Sequence, residues 1–218
     1  MNDRLVLGVD TSFGPVSAAV ATMAGEIVAH FEADNPAGTQ AETLPPRVAT
    51  MFADAKLSFD RLSRIAVTVG PGAFTGVRVG LAFAKGLRLA TGAMALGFTT
   101  LECLAAQAAQ SLTGRCVVAA IDAKRNEVYL QIFDGSLAPL TEALALPVEA
   151  ARDVVRRHLT EPFVAVGSGA ALVGTSPTIV AVPRIDAKLL ARRAVTADPA
   201  RYPATAAYLR APDARLPS

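Results

Sequence analysis

The chain has 218 residues, of which 21 are Lys or Arg and 19 are Asp or Glu, giving a net charge of +2 at neutral pH. With 52% hydrophobic and 18% charged residues it can build a sizeable core, as one large domain or two small ones, and it lacks the polarity of a disordered chain. Two cysteines, Cys103 and Cys116, are too few for a disulfide framework, and their apolar neighbours mark them as small core residues in a reducing compartment.

The opening apolar run is too short for a signal peptide. No stretch reaches the ~18 uninterrupted apolar residues of a membrane helix, because Arg78, Lys85 and Arg88 break the richest region. A soluble, cytoplasmic protein without a membrane partner is expected. From Arg184 onward there are seven basic and three acidic residues. Such a segment can meet RNA phosphates, yet no aromatic residues interleave with the cations, and a solvated arginine-rich surface explains it more simply.

In chain order, Arg4–Asp10 is a continuous apolar run that predicts a strand buried on both faces. Val16–Thr22 is small and β-branched, and Met23-Ala24-Gly25-Glu26 turns the chain into a third strand, Ile27–Phe31. Thr39-Gln40-Ala41-Glu42 has the form of a capping box and predicts a helix to about Ala55, with Pro45 and Pro46 either kinking it or marking where its regular part begins. Ile65–Val69 reads as a strand, Gly70–Gly76 as a loop, and Val77–Ala90 as a helix closed by Gly92. The strand Ala93–Gly97 completes a β-loop-α-β unit of the kind found in parallel sheets. A second capping box, Thr99-Thr100-Leu101-Glu102, opens a helix through Gln110. Strands follow at Cys116–Asp122 and Val128–Phe133, then a helix at Val148–Leu159, a strand at Phe163–Val166 and a short helix at Ala187–Arg193.

The first and second halves share a plan. In each, an apolar strand ends in aspartate (Asp10, Asp122), and six positions later a valine opens the next strand (Val16, Val128), the copies being offset by 112 residues. This order of strand, acidic turn and strand predicts an internal duplication, with lobes at residues 1–102 and 103–218 and the extreme C-terminus free to pack back on the first lobe.

Three segments could carry chemistry. Gly70-Pro71-Gly72-Ala73-Phe74-Thr75-Gly76-Val77-Arg78 joins a strand to a helix, where glycines permit close backbone approach and the helix N-terminus offers N–H groups to an anion. It matches neither G-x-G-x-x-G nor the P-loop, and a tight packing turn explains it equally well. Asp10-Thr11-Ser12 could hold a metal–phosphate group or could serve as an Asx-turn for the backbone. Gly167-Ser168-Gly169-Ala170 could admit an adenosine ring or be another strand-to-helix turn. Asp122 lies in the matching acidic turn of the second half. His30 and His158 are isolated, no Cys/His cluster has metal spacing, and G-x-S-x-G is missing, so no catalytic centre is legible and no metal site is expected. Two helices carry apolar stripes: Leu44, Val48, Met51 and Phe52 on one, and Val77, Val79, Leu81, Phe83, Leu87 and Leu89 on the other, with small residues between. A surplus apolar face of this kind suits packing against another subunit.

L-G-V-D-T-S, A-E-T-L-P-P, V-G-P-G-A-F-T-G-V-R-V-G-L-A-F-A-K-G-L, I-D-A-K-R-N-E-V-Y and A-Y-L-R-A-P-D-A together resemble the TsaB (YeaZ) family of tRNA threonylcarbamoyladenosine biosynthesis. The resemblance implies an α/β chain with the duplicated actin-like/Hsp70-like ATPase fold (ASKHA, ribonuclease H-like) in two lobes. It implies a non-catalytic subunit that binds and activates TsaD, whose H-M-E-G-H metal motif is replaced here by Thr99-Thr100-Leu101-Glu102-Cys103. It also implies TsaE as a further partner, tRNA contacted through the complex, self-pairing into a homodimer when alone, and ATP/Mg used by the complex with no cofactor required by this chain. By the same resemblance Leu44, Val48, Met51, Phe52, Phe74, Thr75, Arg78, Leu81 and Phe83 form the partner interface. Asp10, Thr11, Ser12, Asp122, Gly167 and Gly169 would then line a vestigial nucleotide cleft. Gln40 and Pro45-Pro46 depart from the family pattern at the interface helix. The rival expectations are a small ATP-binding or ATP-hydrolysing enzyme and a metallopeptidase.

Overall fold

The computed structural model describes residues 4–34, 39–112, 114–160, 162–174 and 178–210. The last residues of the A-Y-L-R-A-P-D-A segment and Arg215 of the basic C-terminal region lie outside them.

Strand β1 (Leu5–Asp10) is buried on both faces, as its unbroken apolar run requires. It pairs antiparallel with β2 (Val16–Thr22), which pairs antiparallel with β3 (Ile27–Ala33). On its other side β1 runs parallel to β4 (Leu62–Thr68), and β4 runs parallel to β5 (Met94–Phe98). The second half repeats this pattern strand for strand. β6 (Val117–Lys124) pairs antiparallel with β7 (Glu127–Phe133) and β7 with β8 (Leu144–Pro147), while β9 (Val164–Val166) and β10 (Thr178–Val180) extend the sheet in parallel. The two sheets thus have the orders β3-β2-β1-β4-β5 and β8-β7-β6-β9-β10, and the 112-residue offset read from Asp10 and Asp122 superposes one connectivity on the other.

The helices complete five layers. Helix α1 (Gln40–Asp54) and helix α2 (Phe74–Thr91) cover the outer face of the first sheet, where Leu5, Leu7 and Val9 of β1 meet Leu44, Val48, Met51 and Phe52. Helix α3 (Thr100–Ala109) leaves the first sheet and packs on β6, β7 and β9 of the second. Reciprocally, helix α5 (Ala187–Thr196) leaves the second sheet and packs on β1, β2 and β4 of the first. Helix α4 (Val148–His158) covers the far face of the second sheet, against Val118 and Ala120. The exchange of α3 and α5 puts Val6, Leu101, Leu104, Ile121 and Leu190 in one shared central core. Each such fully buried aliphatic side chain contributes about 1.5–3 kcal/mol. Side chains reinforce the crossing: Arg64 on β4 donates to the Ala194 and Ala197 carbonyls at 2.8 and 2.6 Å, at the C-terminus of α5, and Ser17 Oγ donates to the Ile185 carbonyl at 2.9 Å.

Several local details differ from the sequence expectation. The Thr39 side chain accepts no capping bond from α1; Thr39 has φ −95° and ψ 10°, away from the extended backbone that a capping box needs, and α1 runs continuously through Pro45 and Pro46. The capping box at Thr99 forms in both directions, with Glu102 N–H donating to Thr99 Oγ1 and Thr99 N–H to the Glu102 carboxylate, each at 3.1 Å. Helix α2 begins at Phe74, so Phe74-Thr75-Gly76 is its first turn rather than loop, and left-handed Gly92 closes it as expected. The short β8 and β10 carry too few residues for a periodic signal. Between β9 and β10, where the first half has α2, the described residues of the second half hold a 3-10 turn, Ala170–Leu172.

Candidate functional site

The ends of β1 and β6 face each other across a cleft of about 880 Å³. The first lobe contributes Ser12, Phe13, the Gly70–Phe74 segment and Arg78. The second contributes Ile121, Asp122, Lys124, Tyr129 and Ser168, and residues 207–210 form a third side.

On the first side, Asp10 is fully buried and does not line the cleft. Its Oδ1 accepts from Ser12 N–H at 3.0 Å, from Ser12 Oγ at 2.7 Å and from Thr68 Oγ1, and Oδ2 accepts from Phe13 N–H at 3.4 Å. Burial raises its pKa above the ordinary value, and the hydrogen bonds from Thr68 and Ser12 oppose the shift. Thr11 and Ser12 are buried as well, and Ser12 Oγ lies 3.0 Å from Thr100 Oγ1. The glycine segment closes onto this turn. Ala73 N–H donates to the Ser12 carbonyl at 2.9 Å, and Thr11 Oγ1 donates to the Gly76 carbonyl at 2.6 Å. A Cβ at Gly76 would stand 1.9 Å from the Thr11 carbonyl oxygen, and one at Gly72 would stand 2.4 Å from that of Ser12. The glycines therefore serve backbone-to-backbone packing within the chain, the second of the two roles left open by the sequence.

The second side repeats the arrangement, a correspondence hidden in the sequence. Gly169 N–H donates to the Ala120 carbonyl at 2.9 Å, and the Asp122 N–H donates to Ser168 Oγ at 3.1 Å. A Cβ at Gly167 would meet the Ala120 carbonyl at 2.3 Å. Gly167 and Gly169 thus pack on β6 as Gly72 and Gly76 pack on the end of β1. Asp122 faces the cleft, accepting from both the backbone N–H and the ammonium of Lys124 at 2.8 Å, which lowers its pKa. A magnesium–nucleotide group, which this fold class implies, does not fit the donor set: of the two strand-end carboxylates one is sealed in the core and the other is paired to Lys124.

Aromatic side chains line the cleft beyond what the sequence pointed to. Phe13, Tyr129 and Tyr208 face it, and Tyr129 was foreseeable from the alternation along β7. The Arg78 guanidinium lies 3.8 Å from the Phe74 ring centroid, its Nε donates to Tyr208 Oη at 3.1 Å, and the Phe74 and Tyr208 rings are 5.6 Å apart.

The residues expected at a partner interface divide into two groups. Leu44, Val48, Phe52, Met51 and Leu81 are buried in the core of the first lobe, with Phe52 stacked on Phe59 at 4.0 Å. The stripe they form seals α1 and α2 to their own sheet and presents nothing outward, which corrects their assignment. Phe83 is half-buried on the same core, whereas Phe74, Thr75 and Arg78 are exposed. Together with Ala82, Gly86 and Leu89 (88% exposed), Thr75 and Arg78 form an outward stripe along α2.

Two sheets of one topology, exchanged helices and an interlobe cleft define an actin-like ATPase-fold protein. A solved activator of 2-hydroxyisocaproyl-CoA dehydratase from Clostridium difficile, with bound ADPNP, has the same architecture at a TM-score of 0.51 and 12% identity, covering 88% of this chain and 94% of that one. YeaZ from Pseudomonas aeruginosa superposes at a TM-score of 0.77 with 24% identity, over 94% of this chain and all of that one. The family model for TsaD, tRNA N6-adenosine threonylcarbamoyltransferase, matches residues 37–208. The tRNA threonylcarbamoyladenosine biosynthesis protein TsaB of Escherichia coli K12 is 35% identical over 124 residues, 57% of this chain and 52% of that protein. The chain belongs to the TsaD family. It spans about half the length of the curated relatives it matches.

Proposed function

We propose that the chain acts in tRNA threonylcarbamoyladenosine biosynthesis as a non-catalytic subunit that binds TsaD and supports its activity. The observation that carries this reading is the pairing of a strand-end site closed by its own residues with an open helical face. Asp10 and both glycine turns are consumed in packing, while α2 presents Thr75, Arg78, Ala82, Gly86 and Leu89 to solvent. Small residues at helical spacing let a partner helix approach closely, and Phe74 and Leu89 supply apolar anchors at the two ends of the face. The same face serves self-pairing when the partner is missing. TsaE, ATP/Mg and tRNA enter through the complex.

Size-exclusion chromatography with light scattering, on this chain mixed with TsaD, tests the reading. A 1:1 complex is expected, lost on Thr75→Arg or Ala82→Glu. No complex, or one indifferent to both changes, refutes the placement. Nucleotide turnover by the isolated chain would instead favour an ATP-hydrolysing enzyme.

A further inference from the structure

We infer that residues 202–210 form a strap over the interlobe cleft, held shut by two separate latches, so that entry to the cleft depends on the strap and is not set by the lobes alone. After α5 the chain turns back across the first lobe. The Gly97 N–H donates to the Tyr202 carbonyl at 2.9 Å, Pro203 bridges Leu96, and the Ala207 N–H donates to the Val69 carbonyl at 2.8 Å. These contacts dock the strap on β5 and on the residue following β4.

Beyond Ala207 the strap is held by side chains. The first latch is Tyr208, with its ring against Phe74 and its hydroxyl accepting from Arg78, whose guanidinium in turn covers Phe74. The second reaches the other lobe: Arg210 pairs with Glu127 at 2.7 Å and donates to the Ala123 carbonyl at 3.4 Å. Glu127 begins β7 directly after three left-handed residues, Lys124, Arg125 and Asn126, so its carboxylate is presented from a tightly turned hairpin.

The two ends are unequal. Toward the first lobe the strap has backbone hydrogen bonds, ring packing and a cation over an aromatic face. Toward the second it has the Arg210 ion pair, whose side chains are 28% and 36% exposed, the longer Arg210 bond to the Ala123 carbonyl and Leu209 partly buried on the shared core; water and salt weaken the polar part of this contact. The strap therefore opens from the Arg210 end and hinges near Ala207. Opening exposes Ile121 and Tyr129 on the second wall while Tyr202 and Pro203 stay docked.

Amide hydrogen exchange on the isolated full chain reads this directly. Arg210→Ala should speed exchange at Ala207 by about two- to fivefold, the range set by a partly exposed ion pair. Tyr208→Ala should speed it by roughly tenfold, since an aromatic contact is lost as well. Exchange at the β1 and β6 amides and the thermal midpoint should stay at wild-type values, and binding of the apolar dye 8-anilinonaphthalene-1-sulfonate should rise. The charge swap Arg210→Glu with Glu127→Arg should restore slow exchange. Unchanged exchange at Ala207 in both single variants overturns the inference. So does acceleration spread evenly over β1 and β6 with a lowered thermal midpoint, which marks loosening of the lobes, and so does a swap that fails to restore protection.

Discussion

Alanine at Gly76 and alanine at Gly86 are the same change in the same helix, and the structure gives them opposite signs. A Cβ at Gly76 would lie 1.9 Å from the Thr11 carbonyl oxygen and 2.9 Å from its carbonyl carbon, both backbone atoms that no rotamer can move aside. To accommodate it, α2 must lift from the end of β1, stretching the 2.6 Å bond from Thr11 Oγ1 to the Gly76 carbonyl. Overpacking of this kind costs about 1–3 kcal/mol, and the better helix propensity of alanine returns at most about 1 kcal/mol. A net loss near 2 kcal/mol corresponds to a thermal midpoint lowered by about 4–8 °C in a chain of this size. At Gly86 nothing lies within 4 Å of the added carbon, so only the propensity gain of about 0.5–1 kcal/mol applies and the midpoint should rise by roughly 2 °C. The chain has no tryptophan, so urea and thermal unfolding would be followed by far-ultraviolet circular dichroism. Equal midpoints for the two variants would refute the packing account of the glycine segment and reopen its reading as an anion cradle.

Three further outcomes follow from named contacts. Because burial raises the Asp10 pKa in the fold, the native state binds that proton more tightly than the unfolded chain does. The contribution of Asp10 is fully present below the unfolded-state pKa and lost as pH rises through the higher folded value. Wild type should therefore lose stability relative to Asp10→Asn as pH rises across that window, and a difference independent of pH in urea titrations would contradict this. Val48→Glu and Leu81→Glu, placing a charge at 0% and 6% exposure, should unfold the first lobe, whereas Thr75→Arg and Ala82→Glu should leave the melting curve within ~0.5 kcal/mol of wild type; matching melts for all four would undo the division of α1 and α2 into core and outward faces. Arg64→Ala should cost about 1.5–3 kcal/mol by removing two charged hydrogen bonds from the end of α5, with faster proteolysis near residue 197 and partial recovery in Arg64→Lys.

Much of the fold was legible because the strands at the two strand ends are long, apolar and followed by aspartate, so that a repeat stood out without any alignment. The Thr99–Glu102 cap and the Gly92 stop form because the backbone there has the conformation each device needs, extended at Thr99 and left-handed at Gly92, whereas Thr39, at φ −95° and ψ 10°, does not cap α1. What escaped was non-local. The apolar stripe Leu44-Val48-Met51-Phe52 has the periodicity of a buried helix face, but periodicity does not say whether the covering surface is the helix's own sheet or another molecule. Of the small residues that lie between the apolar positions of α2, Ala82 and Gly86 mark the outward side, while Gly80 and Ala84 are buried. The aromatic lining of the cleft was hidden for a similar reason: Phe13, Tyr129 and Tyr208 come from three distant segments, and only the crossing of the strand ends brings them together. The sequence allows Asp10 a place in a metal–phosphate turn or in a backbone Asx-turn, and its burial and its bonds to Thr68, Ser12 and Phe13 match the second.

Arg78 belongs to two arrangements at once, and this constrains how each can be tested. It lies on the outward stripe of α2, and it also holds Tyr208 and covers Phe74 at the mouth of the cleft. Changing it would disturb the strap and the partner surface together, so loss of a complex in an Arg78 variant would leave the cause ambiguous. Thr75 and Ala82 lie on the same stripe and have no part in the Tyr208 cluster, and Arg210 and Glu127 hold the strap from the other lobe. Complex formation that fails in Thr75→Arg but survives Arg210→Ala would assign binding to the helix face, and the reverse would assign it to the cleft. The two lobes are braced by the exchanged α3 and α5, so neither outcome depends on wholesale movement of one lobe against the other. The part inferred to move is the end of the strap beyond Ala207, and Arg78 is where it meets the outward stripe of α2.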